Sequence, residues 1–160
     1  MEKWVEDLRK MGFSNAAIMD VKDLVFVPEY RKYCEMNLCG NYGLAPSCPP
    51  KCGSPEQMNK KMLKYDKALI LQTEQPLEGL DMKGMRLAQI KHNVLAEKIV
   101  NRLRKEKKLK VLFMSSGPWK KNSCLSAYCI DSQKMAGSVG MKAWEQDGNL
   151  RCFSLILFKK

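Results

Sequence analysis

Four cysteines stand in the 19 residues from Cys34 to Cys52, spaced C-x4-C-x8-C-x3-C. No other feature restricts the folding of this chain as much, because four thiolates so close together can converge on one point without help from distant segments. The residues between them are turn formers. Gly40, Gly43 and Gly53 admit backbone angles closed to other residues and let amides approach a sulfur closely. Pro49 and Pro50 forbid a helix between Cys48 and Cys52 and make that connection a stiff turn. Structural cysteines usually scatter along strands and helices, so a cluster set among Gly, Pro and Asn reads as a metal site ahead of packed thiols or disulfides.

At 160 residues the chain is long enough to form one domain, residues 1–160, whose core needs no cross-link to hold it. A metal is therefore expected to serve function or local structure. No apolar run reaches the length of a membrane span, and the start, Met-Glu-Lys-Trp-Val-Glu-Asp-Leu, lacks the basic-then-apolar plan of a signal peptide. The expected location is cytoplasmic and reducing, which weakens the disulfide reading. The formal charge of +11 attracts anions, whether nucleic acid, an acidic protein or an anionic cofactor. The densest basic run, from Arg102 to Lys110, straddles a helix end, where cations suit the dipole. No aromatic-interleaved stripe accompanies the charge, so nucleic acid is set aside and an acidic redox protein is the expected partner.

The pattern predicts helix over 3–11, ended at Gly12, then a strand within Ala16–Val27 that feeds the cysteine loop. Ser54, Pro55 and Gln57 form a helix start with a capping box, and that helix runs to about Lys64. Ala68–Leu71 reads as a buried strand. Residues 82–106 form an amphipathic helix with Leu87, Ile90, Val94, Leu95, Ile99 and Leu103 as its apolar face. His92 lies inside it and is expected to be a packed or surface residue, not a ligand. Val111–Met114 is a third strand, Asp131 caps a short helix, Asp147-Gly148 is a turn, and Phe153–Phe158 is a last strand with Cys152 packed at its start. This alternation predicts an α/β sandwich, with helices on a mostly parallel or mixed sheet of about four to five strands and the cysteine-rich metal loop after the first. Parallel strands deliver their following loops to one edge. Cys124 and Cys129 would then approach the Cys34–Cys52 loop, across a crevice lined by Ser115, Ser116, Gly117, Gly137 and Ser138. An antiparallel third strand would instead leave them at the opposite end as packed thiols.

At Tyr30–Cys34, Cys39-Gly40-Asn41-Tyr42-Gly43 and Ser47-Cys48-Pro49-Pro50, followed by Tyr65 and the strand at Ala68–Leu71, the chain resembles a family of prokaryotic proteins of unknown function labelled predicted metal-binding proteins. The resemblance covers most of the chain, and its most specific part is the Cys-Pro-Pro loop. It implies a second cysteine-rich segment after the third strand, in which Cys129 and Ser138 match a Cys followed nine residues later by Ser. The full second set is not present here. Cys52 is not a fixed feature of the family, so the fourth ligand beside Cys34, Cys39 and Cys48 is open between Cys52 and the 124–129 segment.

Zinc usually takes close cysteine pairs, whereas iron–sulfur clusters accept wider gaps and often have proline after a ligand, as at Cys48-Pro49. A [4Fe-4S] cluster is therefore favoured, with zinc the alternative. The leading function is electron transfer or redox chemistry with a partner, alone or as a component or accessory of a redox enzyme. The alternatives are a zinc-stabilised, non-redox binding module and a thiol enzyme using Cys124 or Cys129. Arg31 and Lys32, just before the first ligand, are expected to lie near the site and tune it or orient an anion; a solvated loop face is the other reading. Arg31, Ser116 and Ser138 are the candidate cofactor-binding residues beside the six candidate ligands Cys34, Cys39, Cys48, Cys52, Cys124 and Cys129.

Overall fold

The structure is a computed structural model that describes residues 3–37, 40–76 and 81–159. Cys39, one of the expected ligands, lies outside the described residues.

The first helix, α1 (Lys3–Met11), buries Val5 and Leu8 and stops at Gly12, whose positive φ of 124° suits glycine. The first strand, β1, is only Asn15–Asp20. Val21–Asp23 and Pro28–Tyr30 are single 3-10 turns, so the apolar run Leu24–Val27 is not a strand extension. Its Phe26 makes an isolated antiparallel bridge to Ile130, with Val27 N–H donating to Cys129 O and Asp131 N–H to Val25 O. A short helix, α2 (Arg31–Glu35), then carries Cys34 into the cysteine loop. At its far end the expected capping box is present: Ser54 accepts from Gln57 N–H, Gln57 accepts from Ser54 N–H, and Pro55 opens α3 (Pro55–Met62).

The remaining elements are β2 (Lys67–Pro76), α4 (Met82–Lys105), β3 (Val111–Met114), α5 (Ser132–Ser138) and β4 (Asn149–Phe158). The sheet order is β1-β2-β4-β3 with every neighbouring pair antiparallel, which corrects the expectation of a mostly parallel or mixed sheet. The alternation misled for a specific reason. β2 and β3 both run opposite to β4, so they are parallel to each other and joined through α4 as in a crossover unit. The slot between them is filled by β4, the last strand of the chain.

Side chains alternate across the sheet and divide the core in two. Ala68, Ile70, Leu155 and Leu157 face α3, α5 and the segment 125–143. Leu69, Leu71, Ile156 and Phe113 face α1 and α4. The result is helices on both faces of one antiparallel sheet. No described helix is long and apolar enough to cross a membrane.

α4 packs through part of the face its hydrophobic periodicity predicts, with Leu95, Ile99 and Leu103 against the core. Leu87 and Val94 are 50% and 44% exposed, while the polar His92 and Asn93 are buried beside Ala88, Ala96, Ile99 and Val100. The polar pair is affordable there because each group is satisfied. His92 Nδ1 is 2.8 Å from Thr73 Oγ1 and its Nε2 is 2.8 Å from Ser154 Oγ. Asn93 Nδ2 donates to Ser116 O at 2.9 Å, and Ser116 N–H donates to Asn93 Oδ1 at 2.9 Å.

Candidate metal centre

β1 ends at the sheet margin where β2 begins, since Asp20 pairs with Lys67, whereas the chain leaves β3 in the opposite direction. The loops after β1 and β3 therefore start from opposite ends, and the parallel-strand rationale for joining the two cysteine segments does not hold. They meet by another route. The Phe26–Ile130 bridge ties the chain entering the loop to the segment that carries Cys129, and the loop reaches the opposite end of the sheet alongside it.

There a cavity of about 640 Å³ is lined by Cys34 and Cys48 from the loop, Cys124 and Ser126 from the second cysteine segment, and Gly117 and Pro118 from the turn after β3. Asn41, Tyr42 and Pro49 complete the loop wall. The facing wall is α4, through Met82, Lys83, Met85, Arg86 and Gln89. Positions 82, 85, 86 and 89 form one stripe at i, i+3, i+4 and i+7. The apolar pattern of this helix, Leu87, Ile90, Val94, Leu95, Ile99 and Leu103, does not include these positions.

Gly117 leaves room for the ends of two α4 side chains. Its φ is +66°, and a Cβ built there would stand 2.5 Å from Gln89 Oε1 and 2.9 Å from Arg86 Nη1. Arg86 donates to Gln89 Oε1 at 3.0 Å and to Pro118 O at 2.6 Å, which holds its guanidinium against the turn. Gly40 and Gly43 take the backbone angles expected of them. Both have φ of +77°, and no atom of the described residues lies within 4 Å of a Cβ placed on either.

The other expected ligands are elsewhere. Cys52 is half-buried against the core, with its Sγ 3.5 Å from Met58 Sδ. Burial raises its thiol pKa, partly opposed by the Arg31 charge. Cys129 is buried with Sγ 3.8 Å from Pro28 O, and burial raises its pKa too, again against Arg31. Neither is among the described residues lining the cavity. None of the six described cysteines is in a disulfide. Among the described residues, no three His, Cys, Asp or Glu side chains stand close enough together to hold a single metal ion.

Arg31 is not on a solvated loop face. It is 8% exposed, and its guanidinium donates to Gly53 O at 2.7 Å and Ala127 O at 2.8 Å, with Nη2 3.1 Å from Met58 Sδ. It thus clamps the end of the first cysteine segment to the second. Among the described residues, two buried side-chain polar atoms have no partner: Arg31 Nε, and Oγ of Ser47, the residue before Cys48. Ser116 lines a smaller adjoining cavity of about 230 Å³ with Cys124 and Cys152. The Cys152 thiol, its pKa raised by burial, interacts with Ser116 and Thr73. Ser138 instead donates to Met135 O within α5 at 2.7 Å.

Helices on both faces of an antiparallel sheet, with three cysteines brought by two separate segments to one cavity, describe a candidate cysteine-ligand metal-binding protein. The chain belongs to the family described as predicted metal-binding protein (DUF2284), whose model matches residues 17–124. That span contains Cys34, Cys39, Cys48, Cys52 and Cys124 and excludes Cys129 and Cys152. No curated protein and no solved structure matches the chain.

Proposed function

We propose that this protein carries a [4Fe-4S] cluster held by Cys34, Cys39, Cys48 and Cys124, and that it transfers electrons with a partner, alone or as an accessory of a redox enzyme. The observation that carries the reading is that Cys124, from a segment far along the chain, shares a cavity with Cys34 and Cys48 while Cys52 packs against Met58 and the core. That favours Cys124 over Cys52 as the fourth ligand.

The donor set and its surroundings fit the group. Zinc gathers its thiolates about 2.3 Å from one point. A cavity of about 640 Å³ between three thiols suits a guest of several atoms better than one ion. The unpartnered hydroxyl of buried Ser47, next to Cys48, is a hydrogen-bond donor suited to a cluster or thiolate sulfur, and such bonds help set cluster potentials. When bound, a cluster of this kind supplies one-electron transfer, which needs no general base. That agrees with a chain whose only histidine is locked between Thr73 and Ser154.

Protein purified without oxygen is expected to be brown, to absorb near about 400 nm, and to contain iron and acid-labile sulfide in equal amounts. Colourless protein with stoichiometric zinc overturns the cluster and points to a zinc-stabilised binding module.

A further inference from the structure

The wall opposite the cysteines has a chemistry that the cluster alone does not use. Lys83 and Arg86 both line the cavity, and no Asp or Glu of the described residues lines it with them. Arg86 is oriented by two neutral acceptors, Gln89 Oε1 and Pro118 O, so its direction is fixed while those contacts leave its charge uncompensated. Lys83 is exposed. The rest of the lining is mainly apolar through Tyr42, Pro49, Met82, Met85 and Pro118, with Asn41, Gln89 and Ser126 as its neutral polar members. A cavity of about 640 Å³, mostly apolar with a few convergent polar groups, falls in the range of small-molecule sites.

From this geometry we infer that the cavity binds a small organic anion, a carboxylate or phosphate monoester with an apolar body, gripped at its charged end by Lys83 and Arg86 and lying beside the cysteines. The flat and thioether side chains take the body, because desolvating them is favourable and thioethers adapt to varied shapes. The guanidinium takes the anion, because a fixed fork matches two oxygens. In taking the anion as the molecule with which the metal centre works, the inference rests on the function proposed above; the binding itself is read separately. The competing account is that the two cations only balance the charge of four thiolates and a cluster.

Isothermal titration of the anaerobically purified protein decides between them, with phenylacetate and phenyl phosphate as probes and 2-phenylethanol as the neutral comparator. Saturable binding of either anion, at least about tenfold tighter than the alcohol, is expected. Which anion binds better separates carboxylate from phosphate. Lys83→Gln, an exposed change, should weaken the anion about tenfold, and Arg86→Gln by more. Lys98→Gln, exposed on the same helix but outside the cavity lining, should leave it unchanged. Equal binding of the alcohol, absence of saturable anion binding, or equal weakening by Lys98→Gln and Lys83→Gln overturns the inference. Iron and sulfide measured on the same samples keep the two readings apart. An intact centre without anion binding defeats this inference alone, whereas anion binding by protein lacking iron and sulfide supports it and defeats the cluster.

Discussion

Arg31 shows what a single side chain contributes here. Its hydrogen bonds to Gly53 O and Ala127 O join two segments that sequence separation would leave independent, and they do so from a buried position beside Cys52 and Cys129. Arg31→Ala would leave both carbonyls without this donor, so a loss of roughly 3 kcal/mol in urea unfolding is expected, from the net worth of hydrogen bonds to charged groups. A loss below about 1 kcal/mol would mean that the clamp is ornamental. His92 supplies a pH signature. Burial lowers its pKa from the ordinary 6.5 to about 4, so the native state holds it neutral while the unfolded chain takes up a proton below pH 6.5. Stability attributable to this group is therefore complete above pH 6.5 and drains away as the pH falls toward 4. His92→Gln, measured against the parent across that interval, should flatten this part of the pH dependence, and parallel curves would refute the assignment.

At the scale of elements, α4 shows how far hydrophobic periodicity reaches: Leu95, Ile99 and Leu103 of its apolar stripe meet the core. Leu87 and Val94 are exposed, and His92 and Asn93 are buried because partners on β2, β4 and the turn after β3 meet them. Asn93→Ala would leave both Ser116 N–H and Ser116 O without this partner; a destabilisation of roughly 2–3 kcal/mol is expected from orphaned buried groups. Val94→Ala, one residue on but exposed, should stay within about 0.5 kcal/mol. Comparable losses in thermal unfolding of the two variants would contradict the burial pattern. Elsewhere local chemistry sufficed. The Ser54–Gln57 box and the Asp131 cap of α5 involve atoms three residues apart, and both form where side-chain chemistry requires them.

For the whole molecule, the arrangement of cysteines makes a comparative prediction. Cys34→Ser, Cys48→Ser and Cys124→Ser should each abolish iron and sulfide retention, because a hydroxyl replaces a soft thiolate poorly. Cys52→Ser and Cys152→Ser should retain both, and full retention in Cys124→Ser would remove it from the ligand set. The quartet Cys34, Cys39, Cys48 and Cys52 announces a cysteine site by spacing alone, but spacing could not show that Cys52 packs against Met58 while Cys124 joins Cys34 and Cys48 at one cavity. The Lys83 and Arg86 wall was illegible for a related reason: a charged residue on an amphipathic helix reads as solvated until the element it faces is known. By itself the sequence determined the features that act over a few residues: the turn-rich cysteine loop, the caps, the buried strand at Ala68–Leu71 and the extents of α4 and β3. Tertiary structure alone decided the strand directions, because inserting β4 between β2 and β3 depends on long-range pairing that no local pattern encodes. For the same reason it alone decided which thiols share a cavity.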